Sequence, residues 1–273
     1  MRKANYDKFP STKISGTIVQ GWEAIVSLLK EKLGGRRVLA VDLYTGVHEE
    51  EVLEAFSKGV TGKIINVRDV MKSEAEVAVM TDRFMTDDVL YGYVTNLSME
   101  DYFDADKLMA VKKEISEAAE TVVIIGTGAA LVAPEDAMVV YIDMARWEIQ
   151  LRFRRREVKA LGIDNRNDAV SVQYKRGYFN DLRICDKHKD GLFHKLEFWI
   201  DTHIAGEPKM IDKETFFKGI EETIKTPFRV VPFFDPAPWG GQWMKEVCDL
   251  DRAYDNYGWC FDCVPEENSL YFE

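Results

Sequence analysis

The sequence predicts an α/β fold: a mostly parallel sheet with helices on both faces, followed by a short irregular or β C-terminal segment. Three observations predict it. Apolar runs at 38–43, 121–125 and 138–142 have the length and density of strands buried on both faces. They alternate along the chain with stretches whose apolar residues recur at helical spacing, the order expected of parallel strands joined by helices. From Thr226 the texture changes, as Pro227, Pro232, Pro236 and Pro238 crowd ahead of Trp239-Gly240-Gly241. Two regions are therefore expected, 1–226 and 227–273.

The elements follow in order. The first ~20 residues read as an arm, because Pro10 and Gly16 interrupt any helix. Trp22, Ile25, Val26, Leu29 and Leu33 recur at helical spacing, and Gly34-Gly35 supply the stop. After the strand at 38–43, Glu49, Glu50 and Glu51 favour a helix start through the dipole, with Val52, Leu53 and Phe56 turned inward. A strand at 63–67 and a helix at 108–119 come next, then the strands at 121–125 and 138–142. The segment 147–158 reads as a strongly cationic helix, 167–193 as mostly helical and 196–200 as a strand. At the end of the chain, Leu270, Tyr271 and Phe272 form an apolar strand-like terminus that either docks on a sheet edge or continues into further chain.

Charge and cysteine usage narrow the partners. With 36 basic and 47 acidic residues the net charge is −11, which argues against nucleic acid or an anionic membrane as the main partner. No apolar run approaches the ~18–20 residues of a membrane span, and residues 1–7 lack the apolar stretch of a secretory signal. Four cysteines are too few for a disulfide scaffold, so a cytoplasmic location is expected.

Several motifs bear on chemistry. An active P-loop kinase would carry G-x-x-x-x-G-K-[ST] after its first strand, because backbone amides wrap the phosphates and the lysine meets the transferring phosphoryl. The turn found there, Tyr44-Thr45-Gly46-Val47-His48, has one glycine and no lysine. The nearest imitation, Gly59-Val60-Thr61-Gly62-Lys63-Ile64, is wrongly spaced and precedes a strand. Gly126-Thr127-Gly128 looks like a broken dinucleotide fingerprint, and Pro134 leaves no room for its helix; it reads as a tight turn able to seat a small anion.

Asp42 and Asp143 close their strands and are the acidic candidates for kinase-like chemistry, as base or magnesium ligand. Arg146, Arg152, Arg155 and Arg156 are the phosphate-binding candidates, since guanidinium forks fit phosphate oxygens. A salt-bridged face with Glu148 and Glu157 stands as the equal alternative. Cys260-Phe261-Asp262-Cys263 reads as a pair of inert thiols, and His48, His188, His194 and His203 show no ligand spacing, so no metal site is expected.

Two resemblances emerge from these residues. Tyr141-Ile142-Asp143, the arginine-rich segment, Gln173-Tyr174-Lys175-Arg176 and Phe198-Trp199-Ile200-Asp201 follow the order seen in uridine-kinase-like domains. The chain thus resembles a P-loop kinase without its phosphate loop, which implies binding of a nucleotide or sugar phosphate, with kinase activity as the alternative. Phe233-Phe234-Asp235-Pro236-Ala237-Pro238-Trp239-Gly240-Gly241-Gln242-Trp243, with the later stretch 257–269, is similar to the Trp-Gly-Gly segment of class I mannose-6-phosphate isomerases.

That family is a cupin with zinc held by histidines, a glutamine and a glutamate. A longer type joins a kinase-like region to such a cupin. The resemblance implies carbohydrate metabolism and makes Trp239, Gly240 and Gly241 sugar-site candidates. No counterpart of the family's glutamine-x-histidine metal motif is found in this chain, so no cofactor is identifiable in it. It is expected to be an N-terminal portion or shortened form that does not isomerise alone. The implied partners are a small phosphorylated sugar or nucleotide, and either a second copy of the chain or a downstream cupin domain.

Overall fold

The computed structural model describes residues 11–88, 91–225, 230–232, 246–249, 261–263 and 270–272. The elements in chain order are β1 (Thr12–Ile14), β2 (Val19–Gln20), α1 (Trp22–Leu33), β3 (Val38–Leu43), α2 (Glu49–Gly59), β4 (Lys63–Asn66), α3 (Glu74–Met85) and α4 (Ala105–Glu117). They continue with β5 (Val122–Gly126), α5 (Ala129–Val132), β6 (Met138–Asp143), α6 (Arg146–Arg154), α7 (Val170–Arg176), α8 (Leu182–Leu192), β7 (Leu196–Asp201), β8 (Lys209–Asp212) and α9 (Lys213–Ile224). Three short strands follow: β9 (Val230–Pro232), β10 (Phe261–Cys263) and β11 (Leu270–Phe272).

The chain divides into two compact units, Thr17–Lys213, and Met1–Gly16 with Glu214–Glu273. This division falls one helix earlier than the change of texture near residue 226. Within the smaller unit, β1 pairs in parallel with β11, β9 pairs antiparallel with β10, and Gly219 of α9 lies against Ile14 and Leu270. Thr12–Ile14 is therefore a strand in a segment that the sequence reads as an arm, and the apolar terminus docks on it.

The larger unit is an α/β fold around a mixed, mostly parallel sheet of seven strands in the order β2-β8-β7-β6-β3-β5-β4. β4, β5, β3, β6 and β7 run parallel; β8 joins β7 antiparallel, and β2, antiparallel to β8, closes that edge in the direction of the other five. Every residue of β3, β5 and β6 is buried, so these strands have no solvent face, and the unbroken apolar runs in the sequence follow from that. β3 has β5 on one side and β6 on the other, and the chain crosses β3 in passing between them. The strand order reverses there, and in open α/β sheets ligands bind outside the carboxyl ends at such a point.

Further elements differ from expectation, among them β2, β8 and α9, which have no expected counterpart. α6 stops at Arg154, not at 158, because Arg156 takes a positive φ of 61°. The helical stretch 167–193 is α7 and α8 joined by a π-helical turn at Gly177–Asp181. α3 has no counterpart among the expected helices, although Ser73 and Glu76 form a capping box at its start.

Candidate functional site

The carboxyl end of β3 is built around Asp42, which has no exposed surface. Its Oδ1 accepts from the Gly128 amide at 3.0 Å, and its Oδ2 accepts from the Ala130 amide at 2.8 Å and from His188 Nε2 at 2.9 Å. Gly128 presents its amide from a left-handed conformation (φ 89°), and a Cβ there would stand 2.9 Å from the Phe103 ring, so the turn requires glycine. The turn that the sequence marks as able to seat a small anion thus already holds one, a carboxylate from the chain itself.

Asp143, at the end of β6, is answered in the same way. Lys189 donates to its Oδ2 at 3.1 Å, with both side chains almost wholly buried. The Lys189 ammonium also lies 4.7 Å from the centre of the Tyr44 ring. Tyr44 donates its hydroxyl to Asp186 at 2.6 Å, and Arg146 reaches the same carboxylate at 2.8 Å and 3.0 Å. Burial, offset in part by Arg146, raises the Tyr44 pKa well above its ordinary value, so the phenol stays protonated. One helix, α8, therefore supplies Asp186, His188 and Lys189 to the ends of β3 and β6.

An open, solvent-facing cleft lies at the carboxyl end of β3, lined by residues from Leu43 onward. Its walls are the β3–α2 turn (Thr45, Gly46 and Val47), the first turn of α2, Arg68, Thr127 and the 157–162 loop with Arg166. Gly46 has φ 93°, and a Cβ there would meet Ile149 at 2.8 Å. The α2 start has no side-chain cap, and the first helical bonds come from the Glu51 and Val52 amides, which leaves the Glu49 and Glu50 amides without helical partners.

Thr45 is 4% exposed, and neither its hydroxyl nor that of Thr127 has a hydrogen-bond partner among the described residues. Lys159 approaches Glu50 only to 3.8 Å. Arg68 uses Nε on Glu49 (3.3 Å) and Nη2 on the Ala160 carbonyl (3.2 Å), and its Nη1 has no partner among the described residues. Glu49, Glu50 and Glu157 give the same cleft acceptors.

The arginine candidates are not brought together on one face. Arg152, 1% exposed, turns inward: Nη1 donates to the Gly46 carbonyl (3.0 Å), Nη2 to those of Thr202 (2.6 Å) and His203 (3.2 Å), and Nε to Glu148 (3.2 Å). It therefore holds the floor of the cleft in place. Arg155 and Arg156 lie beyond the end of α6. Arg155 is paired with Glu148 and Glu157, the salt-bridged arrangement, and those bonds raise its pKa. Arg156 is exposed and makes no ion pair among the described residues. Arg146 faces Asp186, away from the cleft lining.

Trp239, Gly240 and Gly241 lie outside the described residues. No group of three His, Cys, Asp or Glu side chains among the described residues is placed to hold a metal. No described helix is long and apolar enough to cross a membrane. In the sequence His188 is noted only for lacking metal-ligand spacing, and Lys189 carries no motif. The available signal is that Asp42 and Asp143, each closing a buried strand, need partners. The cleft lining is legible at the 44–48 turn and at Thr127, which the sequence marks as an anion-seating turn, whereas Arg68 and Lys159 carry no motif and are brought in only by the fold.

No curated protein matches the chain. A family model described as a domain of unknown function, DUF8485, matches residues 21–225. That span holds all the residues that build the cleft and the charge pairs beneath it, and the chain belongs to the DUF8485 family.

Proposed function

We propose that the cleft binds a small phosphorylated metabolite, a sugar phosphate or a nucleotide, and does not transfer its phosphoryl group. The observation that carries this reading is the set of donors without partners around one cleft, at the point where the strand order reverses: the Thr45 and Thr127 hydroxyls, Arg68 Nη1, and the first amides of α2, with the loosely paired Lys159 beside them. Such donors suit phosphate oxygens, and the glutamates on the same walls suit ligand hydroxyls.

Phosphoryl transfer fits less well. Asp42 and Asp143, the two acids such a reaction would use, are held by His188 and Lys189, and the turn after β3 has no lysine. The isomerase-like segments, 233–243 and 257–269, lie outside the described residues except for Phe261–Cys263. Their resemblance supports a place in carbohydrate metabolism, and isomerisation by this chain alone is not part of the proposal.

The test is thermal unfolding of the whole chain with a panel of hexose phosphates, nucleosides and nucleotides. A compound at ten times its Kd stabilises by about 1.4 kcal/mol, which in a chain of this size raises Tm by roughly 2–3 °C. Thr45→Val and Lys159→Ala should each reduce the shift. No shift from any compound at millimolar concentration would overturn the proposal. Magnesium-dependent ATP consumption would favour the kinase reading, and zinc-dependent turnover in a coupled isomerase assay would favour the isomerase reading.

A further inference from the structure

Asp42 joins two parts of the site that are distant in sequence. Through the Gly128 and Ala130 amides it holds the turn that carries Thr127, a wall of the cleft, and through Oδ2 it holds His188 of α8. Asp42 has no exposed surface and the His188 side chain is 5% exposed, so water cannot replace either partner if the other lets go. A carboxylate only accepts, which fixes Nε2 as the donor whether or not the ring is charged. The charged ring donates the stronger bond, since both partners are then ionised.

We infer that Asp42 and His188 act as a positioning pair that fastens the 126–130 turn, and with it Thr127, so that the protonation of His188 sets how firmly this wall of the cleft is held. The consequence for a ligand rests on the binding reading above; the fastening itself does not. The charged groups facing His188 are Asp42 from β3 and Glu100 from the turn at Met99–Tyr102, while Lys189, next to it on α8, turns to Asp143. Burial opposes the imidazolium, but Asp42 and Glu100 outweigh it and raise the pKa above the usual histidine value. The bond is therefore strongest below the raised pKa of the ring and weakens as pH rises through it.

The experiment is amide exchange of Gly128 and Ala130 by NMR on the whole chain, from about pH 6 to about pH 9, corrected for the intrinsic pH dependence of exchange. Protection in the wild type should fall roughly tenfold across this range, with a midpoint that matches the titration of the His188 ring in the same spectra. In His188→Gln, whose side-chain amide donates at every pH, protection should be independent of pH. Flat protection in the wild type, or a midpoint that departs from the His188 titration, would overturn the inference without recourse to the variant. Failure of the binding reading has a different signature: no phosphorylated probe shifts Tm at any pH while the exchange step persists.

Discussion

At the scale of single residues, burial separates arginines that look alike in the sequence. Arg152 and Arg155 stand three positions apart in one cationic run, yet one is enclosed among backbone carbonyls and the other is an exposed partner of two glutamates. Arg152→Ala would leave buried carbonyls and Glu148 without their cation and open a cavity, a loss of about 3–5 kcal/mol in denaturant unfolding. Arg155→Ala should cost under about 1 kcal/mol, as exposed ion pairs do, and leave ligand affinity unchanged. A large loss of affinity in Arg155→Ala would restore the arginine cluster as the phosphate site. The histidines also differ in sign. The raised pKa of His188 gives a contribution that is complete below about pH 6.5 and is lost as pH rises through the folded value. Burial and Arg152 lower the pKa of His48, so its contribution is lost as pH falls. The stability difference between wild type and His188→Gln should therefore shrink from about pH 6 to about pH 9; a difference that grew over this range would contradict the assignment.

At the scale of elements, most of the larger unit is legible in the sequence. Runs such as 38–43 and 138–142 are buried on both faces and need no partner in view to be recognised, and α1 announces itself by periodicity and by Gly34. What escapes is set by tertiary context. The end of α6 depends on the backbone of Arg156, and β8 and β2 are short strands defined by pairing at a sheet edge. α3 is absent from the expected helices although its capping box, Ser73 and Glu76, is present in the sequence, and that cap is open to test. Ser73→Ala should cost about 1 kcal/mol and lower Tm by roughly 2 °C, with exchange accelerated first at the α3 amides. Unchanged α3 exchange would show that packing of Val77, Thr81 and Phe84 holds the helix without its cap. The site follows the same rule. Asp42 and Asp143 are visible at strand ends, but their partners lie on α8, about 146 and 46 residues further along the chain, and only the fold brings them together.

At the scale of the whole molecule, one sheet edge carries both the cleft and the charge pairs beneath it. β3, β5 and β6 deliver Asp42, Thr127 and Asp143 to that edge, and α8 answers the two acids with His188 and Lys189. The cleft donors without partners among the described residues lie at the 44–50 turn with the start of α2, at Arg68 and at Thr127. The most direct test of this account is hydrogen exchange along the whole chain, with and without the compound that stabilises it best. New protection confined to the 44–50 turn, the Arg68 region, Thr127 and the 158–166 loop is the result the account predicts. Protection centred on residues 233–243, or on Arg155 and Arg156 with the cleft unchanged, would contradict it.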